Sequence, residues 1–191
     1  MNAPHEPLPR SPELMWRARC RLLIVDVQEK LMPHIPVADA LIANCLKLVK
    51  GAAVLHVPVF ATEQYPQGLG GTVAELANVL PDRPDKLRFS CAEALDWGAA
   101  AEQEDDRDQI VVAGVEAHVC VLQTALDLLS LGYRVFVPAD AVASRRKTDW
   151  RFALQRLSDA GATLTTSESV LFEWAEVAGT DEFKAISRLV R

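Results

Sequence analysis

Two rhythms of apolar residues alternate along the chain. Short continuous runs, such as Leu22-Leu-Ile-Val25 and Ile110-Val-Val-Ala113, mark strands buried on both faces of a parallel sheet. Between them apolar residues recur at helical spacing, as at Leu41, Ile42, Leu46 and Val49. The pattern predicts strands at 21–27, 53–60, 109–113, 133–137 and 162–165, with a short one at 86–89. Helices are expected at 37–50, from Thr72, and at 92–101, 117–131 and 147–160. Gly51, Gly132 and Gly161 read as helix terminators. Pro58 counts against a strand through 53–60, because proline lacks the ladder donor.

Strands and helices alternate without an internal repeat, which predicts an α/β fold: three layers, α/β/α, around a mostly parallel, Rossmann-like sheet. Residues 1–19 are expected to be a flexible N-terminal extension and 20–191 one domain. In such sheets ligands bind beyond the carboxyl ends of the strands, so polar residues there are the first to examine.

Composition narrows the partners. Half of the 191 residues are apolar, enough for a substantial core. The net charge is −6, from 20 basic and 26 acidic side chains, and no basic run appears, so neither nucleic acid nor anionic membrane is expected. No segment approaches the ~18 apolar residues of a membrane span, and 1–9 lacks a signal-peptide stretch, so a cytoplasmic location is expected. Cys20, Cys45, Cys91 and Cys120 show no C-x-x-C spacing, which argues against a zinc site or a disulfide framework.

Three polar residues stand out. Asp26 closes the first apolar run, where a carboxylate needs a cleft, a cation or a proton. Cys120 falls in the first turn of the helix after Gly114, where free N–H groups and the helix dipole favour a thiolate. Lys86 stands where a loop enters apolar structure and could supply a cation to both. Each also has a plainer reading: an Asp bonded to its own loop, a small buried hydrophobe, a lysine reaching back to water.

In this order the three residues resemble the isochorismatase-like cysteine hydrolases, and most of all the isochorismatase-domain-containing branch. The similarity runs from Arg21 to Leu171 through Leu23-Ile-Val-Asp-Val-Gln28, Pro58-Val-Phe-Ala-Thr-Glu-Gln64, Leu69-Gly-Gly-Thr72, Lys86 with Phe89-Ser90, Gly114-Val-Glu-Ala-His-Val-Cys-Val121 and Asp140-Ala-Val-Ala-Ser144. The resemblance implies a catalytic triad of Asp26, Lys86 and Cys120, in which Asp26 takes the thiol proton, Lys86 orients the carboxylate and Cys120 attacks, forming a thioester-type adduct. It implies a cis peptide at Val115–Glu116 and an oxyanion hole from the backbone N–H groups of Glu116 and Cys120. Gln28, Gln64 and Tyr65 are candidate substrate contacts. Ala117 is a fourth, standing where the family often has Thr, so that hydroxyl is missing.

The family's metal-binding nicotinamidases have an Asp-x-His arrangement with further His in the middle loop. Here the loop reads Tyr65-Pro-Gln-Gly-Leu-Gly-Gly71, so no metal and no cofactor is expected. True isochorismatases cleave a vinyl ether without a cysteine nucleophile, so Cys120 points instead to an amidase-type hydrolase cleaving a C–N bond of a small molecule. A non-catalytic binding or scaffold protein on the same fold is the alternative. A homo-oligomer is expected, with 170–174 and 183–190 apolar enough to cover a neighbour, although packing within the chain explains them as well.

Overall fold

A computed structural model describes residues 9–191. Strand β1 (Cys20–Val25) is central, flanked by β2 (Val59–Gln64) and β4 (Gln109–Val115). Beyond β2 lies the two-residue β3 (Asp85–Lys86); beyond β4 lie β5 (Arg134–Pro138) and β7 (Thr163–Thr165). The order is β3-β2-β1-β4-β5-β7, and β6 (Val142–Ala143) pairs with the end of β4. All these pairings are parallel, so both faces must be covered.

Alternation along β1 and β4 divides the core. Leu22, Ile24, Val111 and Ala113 pack with α1 (Ala38–Leu55), α7 (Ser167–Ala175) and α8 (Asp181–Leu189). Leu23, Val25, Ile110 and Val112 face α5 (Leu122–Ser130) and α6 (Lys147–Asp159). The α/β/α sandwich is therefore as the sequence pattern predicts. Single turns α2 (Pro66–Leu69), α3 (Ala74–Ala77) and α4 (Ala92–Leu95) carry the chain between β2 and β4.

Several boundaries differ from expectation. Helix α1 runs through Gly51 and ends at His56, which takes the left-handed conformation. Gly51 is a site of close approach: a Cβ there would lie 2.1 Å from Leu171 Cδ2 on α7. Residues 53–55 are consequently helix, and β2 begins only after Pro58. The helix expected over 92–101 stops after Leu95, where Asp96 turns left-handed and Trp97 packs edge-on against Phe60 with ring centroids 4.9 Å apart. The helix expected from Ala117 opens as a π-helical turn, Ala117–Val121, before α5.

Part of the N-terminal extension is described. Within 9–19, Met15 is completely buried, Arg10 donates to the Met15 and Glu173 carbonyls, and Arg17 pairs with Glu182 of α8 at 2.6 Å. An apolar side chain and two cations that find partners on α7 and α8 hold this segment to the domain. The expectation for residues 1–8 lies outside the described residues.

Candidate active site

Parallel pairing brings the carboxyl ends of four strands side by side. In register, Val25 is opposite Thr62 on β2 and Gly114 on β4, while Gln64 is opposite Lys86 on β3. Asp26, the next residue after β1, has φ of 51°, a left-handed conformation uncommon away from glycine. Gly114 is required by its neighbour: a Cβ there would lie 2.1 Å from the Val25 carbonyl oxygen. The Val115–Glu116 peptide is cis, and the π-helical turn carrying Cys120 follows.

Asp26, Lys86 and Cys120 meet at this edge, with exposures of 0%, 5% and 6%. Lys86 Nζ donates to Asp26 Oδ2 at 2.7 Å, Gln64 Oε1 at 2.6 Å, Phe89 O at 2.9 Å and Arg88 O at 3.3 Å. An ammonium has three protons, so these acceptors saturate it, and its charge is committed to Asp26. The other carboxylate oxygen, Asp26 Oδ1, accepts from Thr62 Oγ1 at 2.8 Å. The thiol lies against the same cluster, with Cys120 Sγ 4.0 Å from Gln64 Oε1.

Electrostatics at the thiol correct one expectation. Burial raises the Cys120 pKa, the Asp26 charge raises it further, and Lys86 opposes them without prevailing. Burial likewise raises Asp26 above its ordinary 3.8, against the lowering effects of Lys86, Cys120 and Thr62. Burial and the Asp26 charge therefore work against the thiolate expected from the helix start. The thiol is buried and faces a carboxylate as well as an ammonium.

The remaining candidates take different places. Gln28 is fully buried and its amide is bonded to backbone: Nε2 donates to Gln64 O at 3.0 Å and Gly70 O at 2.7 Å, and Oε1 accepts from Gln64 N at 2.8 Å. It braces the end of β2 against the following loop, with both amide protons engaged. Gln64 Nε2 donates to Leu87 O at 2.8 Å, which aims its carbonyl oxygen at Lys86 and Cys120. Tyr65 is half exposed at the rim, and Ala117 is fully buried behind Cys120. The Glu116 side chain is taken up by Arg145, which donates from its backbone N and from Nε, both at 3.0 Å. His118 is turned to Ser144 Oγ, 3.0 Å from Nδ1.

Thr62, Cys91 and Thr124 join the cluster without having been singled out from the sequence. A signal for Thr62 existed: Thr62 and Gln64 are polar, two apart on a buried strand, and so share one face. A cavity of about 340 Å³ reaches Lys86 from the β3–α4 loop. A larger one, about 520 Å³, opens between the starts of α1 and α6 and is lined by none of the three triad candidates, so the chemistry rather than cavity size locates the site. Among the described residues no cluster of His, Cys, Asp and Glu could hold a metal, and no helix is long and apolar enough to cross a membrane.

Comparison with known proteins places the chain in a family. The Isochorismatase domain model matches residues 20–169. The secreted isochorismatase effector Isc1 of Phytophthora sojae is 38% identical over 175 residues, covering 89% of this chain and 83% of that protein. Isochorismatase domain-containing protein 2 of Danio rerio is 38% identical over 170 residues, 88% and 85% of the two chains. Among solved structures, the MAR1 ribonuclease of Caenorhabditis elegans superposes with a TM-score of 0.82 at 35% identity, covering 93% of this chain and 92% of its own. YcaC of Escherichia coli, described as an octameric hydrolase of unknown specificity, gives 0.81 at 25%, covering 95% and 92%. YcaC of Pseudomonas aeruginosa, solved with hexane-2,5-diol and covalent acrylamide, gives 0.75 at 26%, covering 93% and 92%. With the family model spanning most of its length and relatives 38% identical over most of both chains, the chain belongs to the isochorismatase-domain family.

Proposed function

We propose that this protein is an amidase-type hydrolase in which Cys120 attacks the carbonyl carbon of a small amide-like substrate and forms a thioester. One observation carries the reading: a buried thiol adjoins a buried Asp26–Lys86 ion pair whose ammonium is already saturated. A saturated lysine has no proton for the substrate, so its work is to hold Asp26 ionised and oriented. Asp26 takes the Cys120 proton as sulfur adds to the carbonyl carbon. The backbone N–H groups of Glu116 and Cys120 receive the developing oxyanion. As the C–N bond breaks, Asp26 returns the proton to the leaving nitrogen. Water, deprotonated by Asp26, then cleaves the thioester, releasing the acid and restoring the thiol. No metal and no cofactor takes part.

Acrylamide traps nucleophiles at its vinyl carbon, so the covalent acrylamide of the P. aeruginosa relative supports a reactive nucleophile on this fold and leaves the substrate class to the panel below. The ribonuclease activity named for the C. elegans relative is not part of this reading: the net charge is −6 and Lys86, the cation beside the thiol, is committed to Asp26. We also read the chain as a homo-oligomer, as its octameric relative is. Half-exposed Tyr65 and Phe89 and the more exposed Leu87 surround the site and are suited to such contacts.

The experiment is to incubate the protein with a panel of small primary amides, follow ammonia release and record intact mass. A Cys120-linked acyl adduct and ammonia, both lost in Cys120→Ser, are expected. No adduct and no ammonia with any amide would leave the scaffold reading in its place.

A further inference from the structure

The Asp26 carboxylate is gripped on both sides, and the second grip has its own support. Thr62, 1% exposed, donates from Oγ1 to Asp26 Oδ1 at 2.8 Å while Lys86 occupies Oδ2. A threonine hydroxyl has a single proton. With that proton on Asp26, the 3.2 Å contact between Thr62 Oγ1 and Cys91 Sγ has the thiol as donor. Cys91, completely buried at the head of α4, is fixed in turn by its backbone N, which donates to Thr124 Oγ1 at 2.9 Å, and Thr124 is itself completely buried on α5. The result is a one-way chain, Cys91 to Thr62 to Asp26, anchored to the helix that follows Cys120.

We propose that Thr62 is a positioning residue that fixes the plane of the Asp26 carboxylate and favours its ionised form, and that the Cys91 thiol aims the Thr62 hydroxyl. The inference rests on the reading of Asp26 as the base for Cys120. A carboxylate buried this deeply is driven toward its neutral acid, which could not take the thiol proton. Lys86 offsets that tendency at one oxygen and Thr62 at the other. A hydrogen bond to the charged form favours that form, and with both oxygens held the carboxylate cannot rotate away from Cys120. The titratable groups facing Asp26 are Lys86 from β3, Cys120 from the π-helical turn and Cys91 from the head of α4.

The test is the pH dependence of Cys120 alkylation by iodoacetamide, read by peptide mass so that Cys91 is counted separately. In the unaltered protein the rate should fall on the acid side as Asp26 gains a proton. Thr62→Val, nearly equal in volume but without the donor, should move that limb to higher pH by about one unit, the size of one hydrogen bond to a charged group. Thr62→Ser should restore it, which a purely steric role of the threonine would not predict. Cys91→Ala keeps Thr62 in place and should shift the limb the same way by less, so the proposal remains open to refutation if the valine variant does not fold. An unaltered protein whose Cys120 is not alkylated, or shows no acid limb, would overturn the underlying reading of Asp26. A clear limb in the unaltered protein that is unmoved in Thr62→Val, or unmoved in Cys91→Ala where the valine variant is unfolded, would overturn this inference alone.

Discussion

Lys86 Nζ and Asp26 Oδ2 lie 2.7 Å apart with side-chain exposures of 3% and 0%, which makes them a buried ion pair at the head of the sheet. Removing one member of such a pair strands the other charge and costs about 3–5 kcal/mol. Lys86→Met should therefore lower the unfolding free energy by about that amount at pH 7, measured by urea denaturation. The loss should shrink in acid. Without its cation, Asp26 has a folded-state pKa still further above the ordinary 3.8, so its contribution to stability is present at low pH and lost as pH rises through that raised value. A loss equal at pH 7 and pH 4.5 would show that the pair is not what the substitution disrupts.

Cys120 should be the first thiol to react. It is 6% exposed, whereas Cys20, Cys45 and Cys91 are completely buried. Burial raises all four, pushing Cys20 and Cys45 up to about 12 and Cys91 to about 11. None is a ready thiolate at neutral pH, so what separates them is access and a nearby base. Limited iodoacetamide treatment should label Cys120 before the others, and Lys86→Met should slow that labelling. Peptide mapping showing Cys91 labelled first would remove Cys120 as the nucleophile.

The reagent's charge should matter at Cys120. Its strongest charged neighbours, Asp26 and Lys86, neutralise each other, so an anionic reagent would enter a buried site without an unpaired cation. Relative to a simple neutral thiol, Cys120 should prefer iodoacetamide over iodoacetate by about tenfold or more. Equal preference would point to a charged substrate instead.

Chelation should leave activity unchanged. Glu63, the acid near the end of β2, already accepts through Oε1 from Thr72 N at 2.8 Å, Thr72 Oγ1 at 2.6 Å and Arg83 Nε at 3.1 Å, so it serves the following loop. Activity lost on dialysis against a chelator and restored by Zn²⁺ or Fe²⁺ would refute the metal-free mechanism.

Gly114 is the most sensitive backbone position beneath the site. Gly114→Ala would set a Cβ 2.1 Å from Val25 O at a φ of 117°. Strain and overpacking together should cost about 3 kcal/mol or more. A urea midpoint that barely moves would mean that β1 and β4 can part there without penalty.

The layered fold was legible because burial on two faces imprints itself residue by residue: Leu22-Leu-Ile-Val25 and Ile110-Val-Val-Ala113 can be little other than interior strands of a parallel sheet. Sequence motifs also singled out Asp26, Lys86 and Cys120. Tertiary structure decided what those residues can do. Gly51 lies inside helix α1 as a point of close packing, where Leu171, 120 positions away in number, fills the space a side chain would need, and no local signal carries that. Gln28 braces the end of β2, and Thr62 and Cys91 join the cluster, through the parallel register of β1 with β2 and the seating of α4 on α5. The protonation of Cys120 was hidden for the same reason. A pKa follows burial and the charges around a group, and these come from strands and turns far apart in the chain, so the sequence could name the thiol but only the packed structure decided that burial and Asp26 raise its pKa against Lys86.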